Sequence, residues 1–221
     1  MNDTTEWQWD RTAVHQTSRG DVHVREAGEG DPLVLLHPLA LSSAVYATLA
    51  RRLADEFHVV AVDARGHGRS QWDGTPFTVE DMAQDLAALL DTLSVPRSTV
   101  LGMSMGGCTA ISFAEQFPDR TSALVLLDTT AWYGPEAVSQ WAQRADRARA
   151  VPRVHQLPFQ VDRWFTEPFR RQSPREVNAV AAVFLATRGR VHAAASTALG
   201  AFDGRAGLSS IQCPVLVMTG E

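Results

Sequence analysis

Short apolar runs bounded by turn residues recur along the chain and give the first indication of its architecture. Five of them are rich in Val and Leu without polar alternation: residues 33–36, 59–62, 99–101, 123–127 and 215–218. Strands that are buried on both faces, as in a parallel sheet, have this continuous apolar character. Two further runs, residues 13–17 and 22–26, flank the turn signal Ser18-Arg19-Gly20-Asp21 and predict an N-terminal β-hairpin.

Helical patterns separate the predicted strands. Residues 82–93 place apolar side chains at helix spacing, and Thr78 with Asp81 ahead of them predicts a capping box. Residues 105–117 predict a second helix, which Pro118 ends. Strands that alternate with helices predict an α/β fold with a mostly parallel, doubly wound sheet and right-handed crossovers.

The alternation stops after Leu127. Residues 135 to about 201 carry only helical patterns, which four prolines divide into roughly four helices: Pro152, Pro158, Pro168 and Pro174. Because the strand at 215–218 resumes the sheet, this insertion predicts a helical lid over the active-site edge rather than a separate domain. We therefore expect a core over residues 1–134, a lid over 135–204 and a return to the core over 205–221.

Charge and composition narrow the functional classes. The formal net charge is -5 at pH 7 without clustered Lys and Arg, which argues against nucleic-acid binding. No apolar stretch is long enough to cross a bilayer, and residues 1–10 lack the features of a secretion signal. Cys108 and Cys213 lie far apart inside apolar segments, which favours buried free thiols over a disulfide. We expect a cytoplasmic protein without nucleic-acid or membrane partners, and neither a metal nor another cofactor.

The segment Gly102-Met103-Ser104-Met105-Gly106 carries the strongest chemical signal. A predicted buried strand runs into this Gly-x-Ser-x-Gly pattern, and a predicted helix follows directly. The turn leaves little room for side chains at either glycine and projects Ser104 above the sheet. The unpaired N–H groups of the helix point at the reacting carbon. In this context the pattern predicts that Ser104 is a nucleophile for acyl chemistry.

Acyl transfer also needs hydrogen-bond donors for the developing oxyanion. One is expected to be the N–H of Met105, the residue after the nucleophile. The other is expected in the loop after the strand at 33–36, where Pro38 has no N–H and Leu39 has one. His37 in this loop could serve as a base, but we expect it to order the loop at the border of the substrate site.

Three further polar residues follow predicted strands. Asp63 and His67 belong to the segment 62–70, where two glycines flank His67, and we expect both to shape a loop. Asp128 ends the strand at 123–127, at the rim where catalytic groups gather. It is a candidate for the acid that orients a catalytic histidine, although we favour a role in capping the turn into Thr129 and Thr130.

Together these residues resemble the α/β-hydrolase superfamily, from about Val22 to the end of the chain. The shared stretches are Leu35-Leu36-His37-Pro38-Leu39, residues 62–70, and Gly102–Gly107. The Ala-rich segment 193–199, with Asp203 and residues 213–217, is most similar to the 3-oxoadipate enol-lactonase group. Haloalkane dehalogenases share the fold but attack with Asp, so Ser104 argues against that branch.

The resemblance implies hydrolysis of an enol-lactone to an oxo acid during bacterial aromatic breakdown. Ser104 would attack the carbonyl while the Leu39 and Met105 N–H groups hold the oxyanion. Trp132 and Tyr133 would form a wall of the substrate pocket. A substrate carboxylate would need an arginine from the lid, for which the chain offers Arg144, Arg147, Arg163 and Arg190. A general carboxylesterase or a cofactor-free haloperoxidase remains the alternative.

The chain departs from the superfamily in its catalytic acid and histidine. The superfamily order is Ser, then Asp or Glu, then His, with the acid after the strand that here is 215–218. The chain reaches Gly220-Glu221 at that point, and its last histidine, His192, falls in the lid. Three interpretations stay open: a fragment, which we favour; a site completed by a second chain; or a non-catalytic protein that binds an acyl ligand.

A missing final strand and helix would also leave residues 215–218 as an exposed apolar edge. Such an edge can pair with another chain, so any homo-oligomer is expected to form through this edge of the sheet.

Overall fold

A mixed β-sheet forms the centre of the computed structural model, which describes residues 8–220. Seven strands of that range pair in the order β1-β2-β4-β3-β5-β6-β7. They are β1 Arg11–Thr17, β2 Gly20–Ala27, β3 Asp31–Leu36, β4 Phe57–Val62, β5 Ser98–Met103, β6 Thr121–Leu127 and β7 Val215–Met218. Pairing is antiparallel between β1 and β2 and between β2 and β4, and parallel elsewhere. The predicted hairpin and mostly parallel sheet are confirmed.

The helices that follow the strands cover both faces of the sheet. They are α1 Ala47–Leu53, α2 Val79–Thr92 and α3 Met105–Gln116, with short 3₁₀ segments at Ser43–Tyr46, Pro118–Arg120 and Leu208–Ser210. The larger core lies on the side of α2 and α3, and a smaller one packs beneath α1. The predicted capping box is confirmed, since Thr78 Oγ1 accepts from Asp81 N and Asp81 Oδ2 accepts from Thr78 N.

Five helices occupy the segment after β6, where the sequence predicted roughly four. They are α4 Ala137–Ala150, α5 Arg153–Trp164, α6 Glu167–Gln172, α7 Pro174–Ala186 and α8 Gly189–Ala201. The prolines predict the breaks only in part. Pro152, Pro168 and Pro174 stand at helix starts, where no N–H is needed, whereas Pro158 lies inside α5. The proposed domain boundaries at 134 and 204 stay a prediction.

Small residues let α8 lie directly against α4. A Cβ on Gly200 would stand 2.7 Å from Trp141 Cβ, and one on Gly189 would stand 2.5 Å from the Ala148 carbonyl oxygen. The segment that follows α8 returns to the core, because Asp203 pairs with Trp132 and Gly204 N donates to the Ala131 carbonyl at 2.8 Å. The helical segment is thus attached to the core at both of its ends.

Two predictions of burial need correction. β7 is exposed along its whole length, from 46% at Val215 to 69% at Val217, and one face of β6 is only half-buried. Within residues 8–220, β7 has β6 as its single neighbour, so nothing there covers its other side. Pairing of this edge with a second copy stays a prediction. Cys108 is buried as expected, but Cys213 is partly exposed because it precedes this uncovered strand.

Two remaining expectations concern membranes and the chain start. No helix among residues 8–220 is both long enough and apolar enough to span a bilayer. The expectation that residues 1–10 are not a secretion signal lies mostly outside the described residues.

Glu26 gives the fold a defined sensitivity to acid. Burial alone would raise its pKa, but hydrogen bonds from His58 and Arg11 outweigh that effect and lower the pKa from 4.5 to about 2. The carboxylate therefore contributes stability that is present above pH 4.5 and is lost as the pH falls towards 2.

We predict that Glu26→Gln lowers the unfolding free energy most above pH 5, with the difference from the parent protein shrinking between pH 4.5 and pH 2. Urea denaturation over this range measures it. Glu56→Gln, at an exposed position, is the matched control and should produce no such trend. A Glu26→Gln difference that is constant with pH would contradict the assignment.

Candidate active site

The turn between β5 and α3 holds Ser104 in a strained backbone conformation. Its φ is 52° and its ψ is -114°, a region that residues other than glycine seldom occupy. Three hydrogen bonds fix it: Ser104 N donates to Leu127 O at 2.9 Å, while Ser104 O accepts from Cys108 N at 3.0 Å and from Thr129 Oγ1 at 2.8 Å. The residue is partly exposed at the carboxyl edge of the sheet. Its hydroxyl is therefore presented by a rigid backbone.

The flanking glycines are as crowded as the pattern predicts. A Cβ on Gly102 would lie 2.2 Å from the Gly106 carbonyl oxygen, and one on Gly106 would lie 2.0 Å from the Leu36 carbonyl oxygen. These neighbours are backbone atoms that cannot move aside as a flexible side chain would. The end of β3 is thus pressed against the first turn of α3, which brings the loop after β3 next to Ser104.

The two predicted oxyanion donors lie on either side of this contact. Met105 is the first residue of α3, where N–H groups lack partners within the helix. Leu39 lies in the loop that the Gly106 contact brings close. Within residues 8–220, neither N–H is bonded to a backbone carbonyl in a turn or loop. Both groups are available for an oxygen of a ligand, and their role as an oxyanion hole stays a prediction.

His37 fixes the orientation of the Leu39 N–H. Its Nε2 accepts from Ala64 N at 3.0 Å, so its Nδ1 carries the proton and donates to Pro38 O at 2.8 Å. The Pro38 carbonyl and the Leu39 N–H belong to one planar trans peptide and point in opposite directions. By holding the carbonyl, the ring turns the N–H of Leu39 away from itself.

Contact of His37 with the substrate stays a prediction, and the structure shows the ring engaged with the backbone. The ring is 1% exposed and both nitrogens are bonded to backbone. Burial lowers its pKa, so the ring stays neutral. The His37 ring orders the loop after β3, which is the role that we favoured from the sequence.

Asp63 organises the neighbouring loop. It accepts hydrogen bonds from His23 Nδ1 at 2.7 Å, Ser43 N at 2.7 Å and Arg69 N at 2.9 Å. Burial would raise its pKa, but these bonds together lower it well below the usual range. His67 is fully buried, and its Nδ1 lies 3.1 Å from Arg65 O. Both residues therefore shape the loop, as expected.

Asp128 caps a different turn from the predicted one. Its Oδ1 accepts from Thr219 Oγ1 and from Gly220 N, each at 3.0 Å, instead of stabilising the turn into Thr129 and Thr130. Its φ is 44°, and its carboxylate lies at the end of the adjacent strand β7. A role as catalytic acid stays untested.

Tyr133 and Trp132 are adjacent in sequence but contact different parts of the structure. The Tyr133 hydroxyl lies 3.6 Å from Cys108 Sγ, one helical turn beyond Ser104, and its ring meets the Trp141 ring edge-on with the centroids 4.9 Å apart. Trp132 turns towards the end of the helical segment, where the Arg205 guanidinium lies 3.6 Å from its ring centroid. The sequence predicted the same pocket-wall role for Trp132 and Tyr133, because adjacent loop residues carry no periodic signal that separates them.

Of the four candidate arginines, Arg144 is the one that is partly buried. Its guanidinium lies 4.8 Å from the Trp141 ring centroid, and burial lowers its pKa to about 10, with a further contribution from Arg163. None of the ion pairs found within residues 8–220 includes it. The other three candidates, Arg147, Arg163 and Arg190, are exposed. A partly buried cation beside Tyr133, without a carboxylate partner among the described residues, favours an anionic ligand.

No histidine of residues 8–220 is hydrogen-bonded to the Ser104 side chain. His192 lies on α8 with 1% exposure, and its Nδ1 is 2.5 Å from Arg153 Nη1. Burial and the Arg153 charge lower its pKa to about 3. No sequence pattern predicted that this buried histidine would pair with Arg153. In the same range no three His, Cys, Asp or Glu side chains cluster as metal ligands.

Known proteins share the sequence pattern of this chain. The profile of the alpha/beta hydrolase fold family matches residues 31–221. The chain is 32% identical over 166 residues to 3-oxoadipate enol-lactonase 2 of Acinetobacter baylyi, covering 75% of this chain and 61% of that protein. It is 34% identical over 125 residues to 2-(acetamidomethylene)succinate hydrolase of Mesorhizobium japonicum, covering 57% and 45%. The chain thus spans less than two thirds of either relative.

Solved structures agree with the sequence matches. The enol-lactonase from Burkholderia xenovorans LB400 superposes with a TM-score of 0.88 at 30% identity, covering 94% of this chain and 81% of that one. A thermophilic esterase from Thermogutta terrifontis with bound malate gives a TM-score of 0.88 at 28% identity, covering 95% and 80%.

We predict that Gly106→Ala destabilises the protein by about 1–3 kcal/mol, because the added methyl group overlaps the Leu36 carbonyl. Chemical denaturation measures the loss. Gly220→Ala, with nothing within 4 Å of the added atom, is the matched control and should change stability by less than about 0.5 kcal/mol. Equal stability of the two variants would show that the contact between position 106 and the Leu36 carbonyl has room for a Cβ atom.

Proposed function

We propose that the chain cleaves an ester or lactone with Ser104 as the nucleophile. The chain belongs to the alpha/beta hydrolase fold family, and this membership supports its assignment as a hydrolase. We propose further that the substrate carries a carboxylate and is of the 3-oxoadipate enol-lactone type. The observation that carries the proposal is the strained turn that presents Ser104 at the carboxyl edge of the sheet. A chance serine in a turn does not need a positive φ or two glycines closed in by backbone.

The reaction proceeds in two balanced steps. Ser104 Oγ attacks the carbonyl carbon, its proton passes to a base, and the ring or ester oxygen leaves and takes a proton, which gives an acyl-serine. Water then adds to the acyl carbon, and the acid is released as Ser104 regains its proton. The Leu39 and Met105 N–H groups hold the carbonyl oxygen while it is negatively charged, which in comparable enzymes contributes on the order of a hundredfold in rate per donor.

Arg144 supports a substrate with a second acidic group. A partly buried guanidinium without a carboxylate partner among residues 8–220 loses some of its hydration, and a bound carboxylate would offset that loss. The names of the relatives agree, since a substituted succinate and malate are both carboxylates. We therefore favour the enol-lactone over neutral esters, with cleavage to an oxo acid in aromatic catabolism. A cytoplasmic location belongs to the same proposal.

We predict that a fluorophosphonate probe labels Ser104 and that Ser104→Ala abolishes the labelling, as read by intact mass and peptide mapping. Because no histidine of residues 8–220 is bonded to Ser104, we expect added imidazole to accelerate labelling of the parent protein by supplying a base. Ser104→Ala in the same buffer corrects for imidazole reacting with the probe itself. Labelling that persists in Ser104→Ala would refute the assignment of the nucleophile.

We predict that Arg144→Gln lowers kcat/KM for a carboxylate-bearing lactone by about tenfold or more, because a charge-assisted hydrogen bond contributes about 1.5–3 kcal/mol. A neutral ester of the same acyl group should be affected much less. Arg147→Gln, exposed on the same helix, is the matched control.

Calorimetry of adipate binding to the parent protein, Arg144→Gln and Arg147→Gln makes the same comparison without turnover. Equal losses on the charged and neutral substrates would contradict the role of Arg144. Turnover of simple aryl esters with none of the enol-lactone would favour a general carboxylesterase.

A further inference from the structure

A groove lies between the loop after β4 and the start of α8. Residues 68–73 line it from the loop, Arg188 lines it from the helix start, and its volume is about 430 Å³. Pockets of about 300–1,000 Å³ are typical of small-molecule sites. Ser104 follows β5, and β3 stands between β4 and β5 in the sheet, so the two strand ends are about 10 Å apart. The groove therefore offers room for a small molecule outside the Ser104 site.

Positive charge is concentrated at this groove. Arg69 and Arg188 line it, and the Arg190 guanidinium lies 5.9 Å from the ring centroid of Trp72, which belongs to the same lining. None of the ion pairs found within residues 8–220 includes any of these three arginines. Arg190, a candidate from the sequence for a substrate carboxylate, thus stands beside this groove. Such a surplus of unpaired cations attracts anions.

Asp73 is the acidic residue of the lining, and it is already engaged. Its Oδ1 accepts hydrogen bonds from Thr75 N at 2.9 Å and from Thr75 Oγ1 at 2.7 Å. Both bonds close a turn within the loop itself. Against this single carboxylate stand the two lining arginines and Arg190 nearby, so the groove keeps a net positive charge.

The loop that carries Arg69 is fixed by its backbone. Arg69 N donates to Asp63 Oδ2 at 2.9 Å, and Ser70 Oγ donates to Asp63 O at 2.6 Å. Gly68 has a φ of 51°, and a Cβ there would stand 2.0 Å from Asp63 Oδ2, so the position requires glycine. Because this wall is ordered before a ligand arrives, binding does not have to order it.

The opposite wall is attached to the same loop. Arg188 Nη2 donates to the Gly66 carbonyl at 3.2 Å, and Thr187 Oγ1 donates to the Ala40 carbonyl at 2.9 Å. A guanidinium has five N–H donors, and the Gly66 contact uses one of them. Arg188 is therefore held at the groove with donors left for a ligand.

Trp72 gives the groove a flat apolar surface. Its indole N–H donates to the Thr75 carbonyl at 2.7 Å, so the ring contributes its face and not a hydrogen bond. Phe77 meets the ring edge-on, with the centroids 6.0 Å apart, and supports it from the core. The lining thus combines guanidinium groups for an anion with an aromatic ring for an organic group.

We propose that this groove binds a small molecule with a diphosphate group, whose phosphates lie between Arg69 and Arg188. Guanidinium groups match phosphate oxygens in geometry and charge. A diphosphate carries several negative charges in a compact group, so one ligand can reach both walls. A single carboxylate, as on the proposed substrate, cannot. The site is separate from the proposed hydrolase function and does not rest on it.

Calorimetry with inorganic pyrophosphate as the probe tests the site. We expect the parent protein to bind it, more weakly as salt is added, and Arg69→Gln and Arg188→Gln each to lower the affinity at least fivefold. Arg51→Gln, exposed on α1, is the matched control and should bind as the parent protein does. Because Arg188→Gln also loses the bond to Gly66 O, Arg69→Gln is the deciding variant. Absence of binding, or equal binding by Arg69→Gln and Arg51→Gln, would overturn the proposal.

Indole N–H resonances locate the bound pyrophosphate. The chain has six tryptophans, and Trp72→Phe assigns the Trp72 resonance. We expect pyrophosphate to shift this resonance. Trp141→Phe assigns Trp141, which lies beside Arg144 and reports on binding there. A Trp72 resonance that stays in place while Trp141 shifts would place the anion at Arg144 and contradict the proposal.

Two comparisons separate this site from the hydrolase site. Fluorophosphonate should label Ser104 equally fast in Arg69→Gln and in the parent protein, whereas a failure of labelling in both would count against the hydrolase proposal alone. Saturating adipate should leave the pyrophosphate-induced shift of Trp72 unchanged. Reversal of that shift by adipate would make the groove part of the substrate site and overturn the inference.

Discussion

The close approach of the Leu36 carbonyl to Gly106 is the contact on which the rest of the candidate site depends. It requires a residue without a Cβ at position 106, and it brings the end of β3 against the first turn of α3. Three features follow from it. The chain between β5 and α3 must turn sharply, Ser104 takes up a left-handed conformation, and the loop with Leu39 comes beside the helix N-terminus. His37 then sets the direction of one N–H by holding the other end of its peptide. A single backbone contact thus couples the nucleophile to the groups that would hold the oxyanion.

The helical segment above the sheet supplies charge to the same site. Gly200 and Gly189 allow α8 to lie against α4, and α4 carries both Trp141 and Arg144. Trp141 supports the Tyr133 ring from one side and the Arg144 guanidinium from another. Packing of these two helices therefore brings the partly buried Arg144 guanidinium and the Tyr133 ring together around Trp141. This arrangement suits a substrate that has a carbonyl to be attacked and a carboxylate some distance away.

The sequence predicts those parts of the structure that depend on local pattern. The strands, the hairpin, the capping box at Thr78 and the turn at Ser104 each have a signature within a few residues, and the structure contains all of them, although β7 is exposed where its apolar pattern predicted burial. Features that depend on tertiary packing were not predictable in this way. Arg144 and Arg147 lie on one helix and look alike in sequence, but only the first faces inward. Asp128 could not be matched to Thr219 because their pairing is set by the neighbouring strands β6 and β7. Helix α1 was not predicted, because a helix of two turns is too short for a periodic signal.

The central claim, that the turn at Ser104 is built for acyl chemistry, is tested most directly by a crystal structure with a boronic acid, which mimics the tetrahedral intermediate. The account predicts a covalent bond from boron to Ser104 Oγ and one boron-bound oxygen about 2.7–3.1 Å from both the Leu39 and Met105 nitrogens. A boronate that is bound elsewhere, or bonded to Ser104 with its oxygens directed away from these two N–H groups, would contradict it.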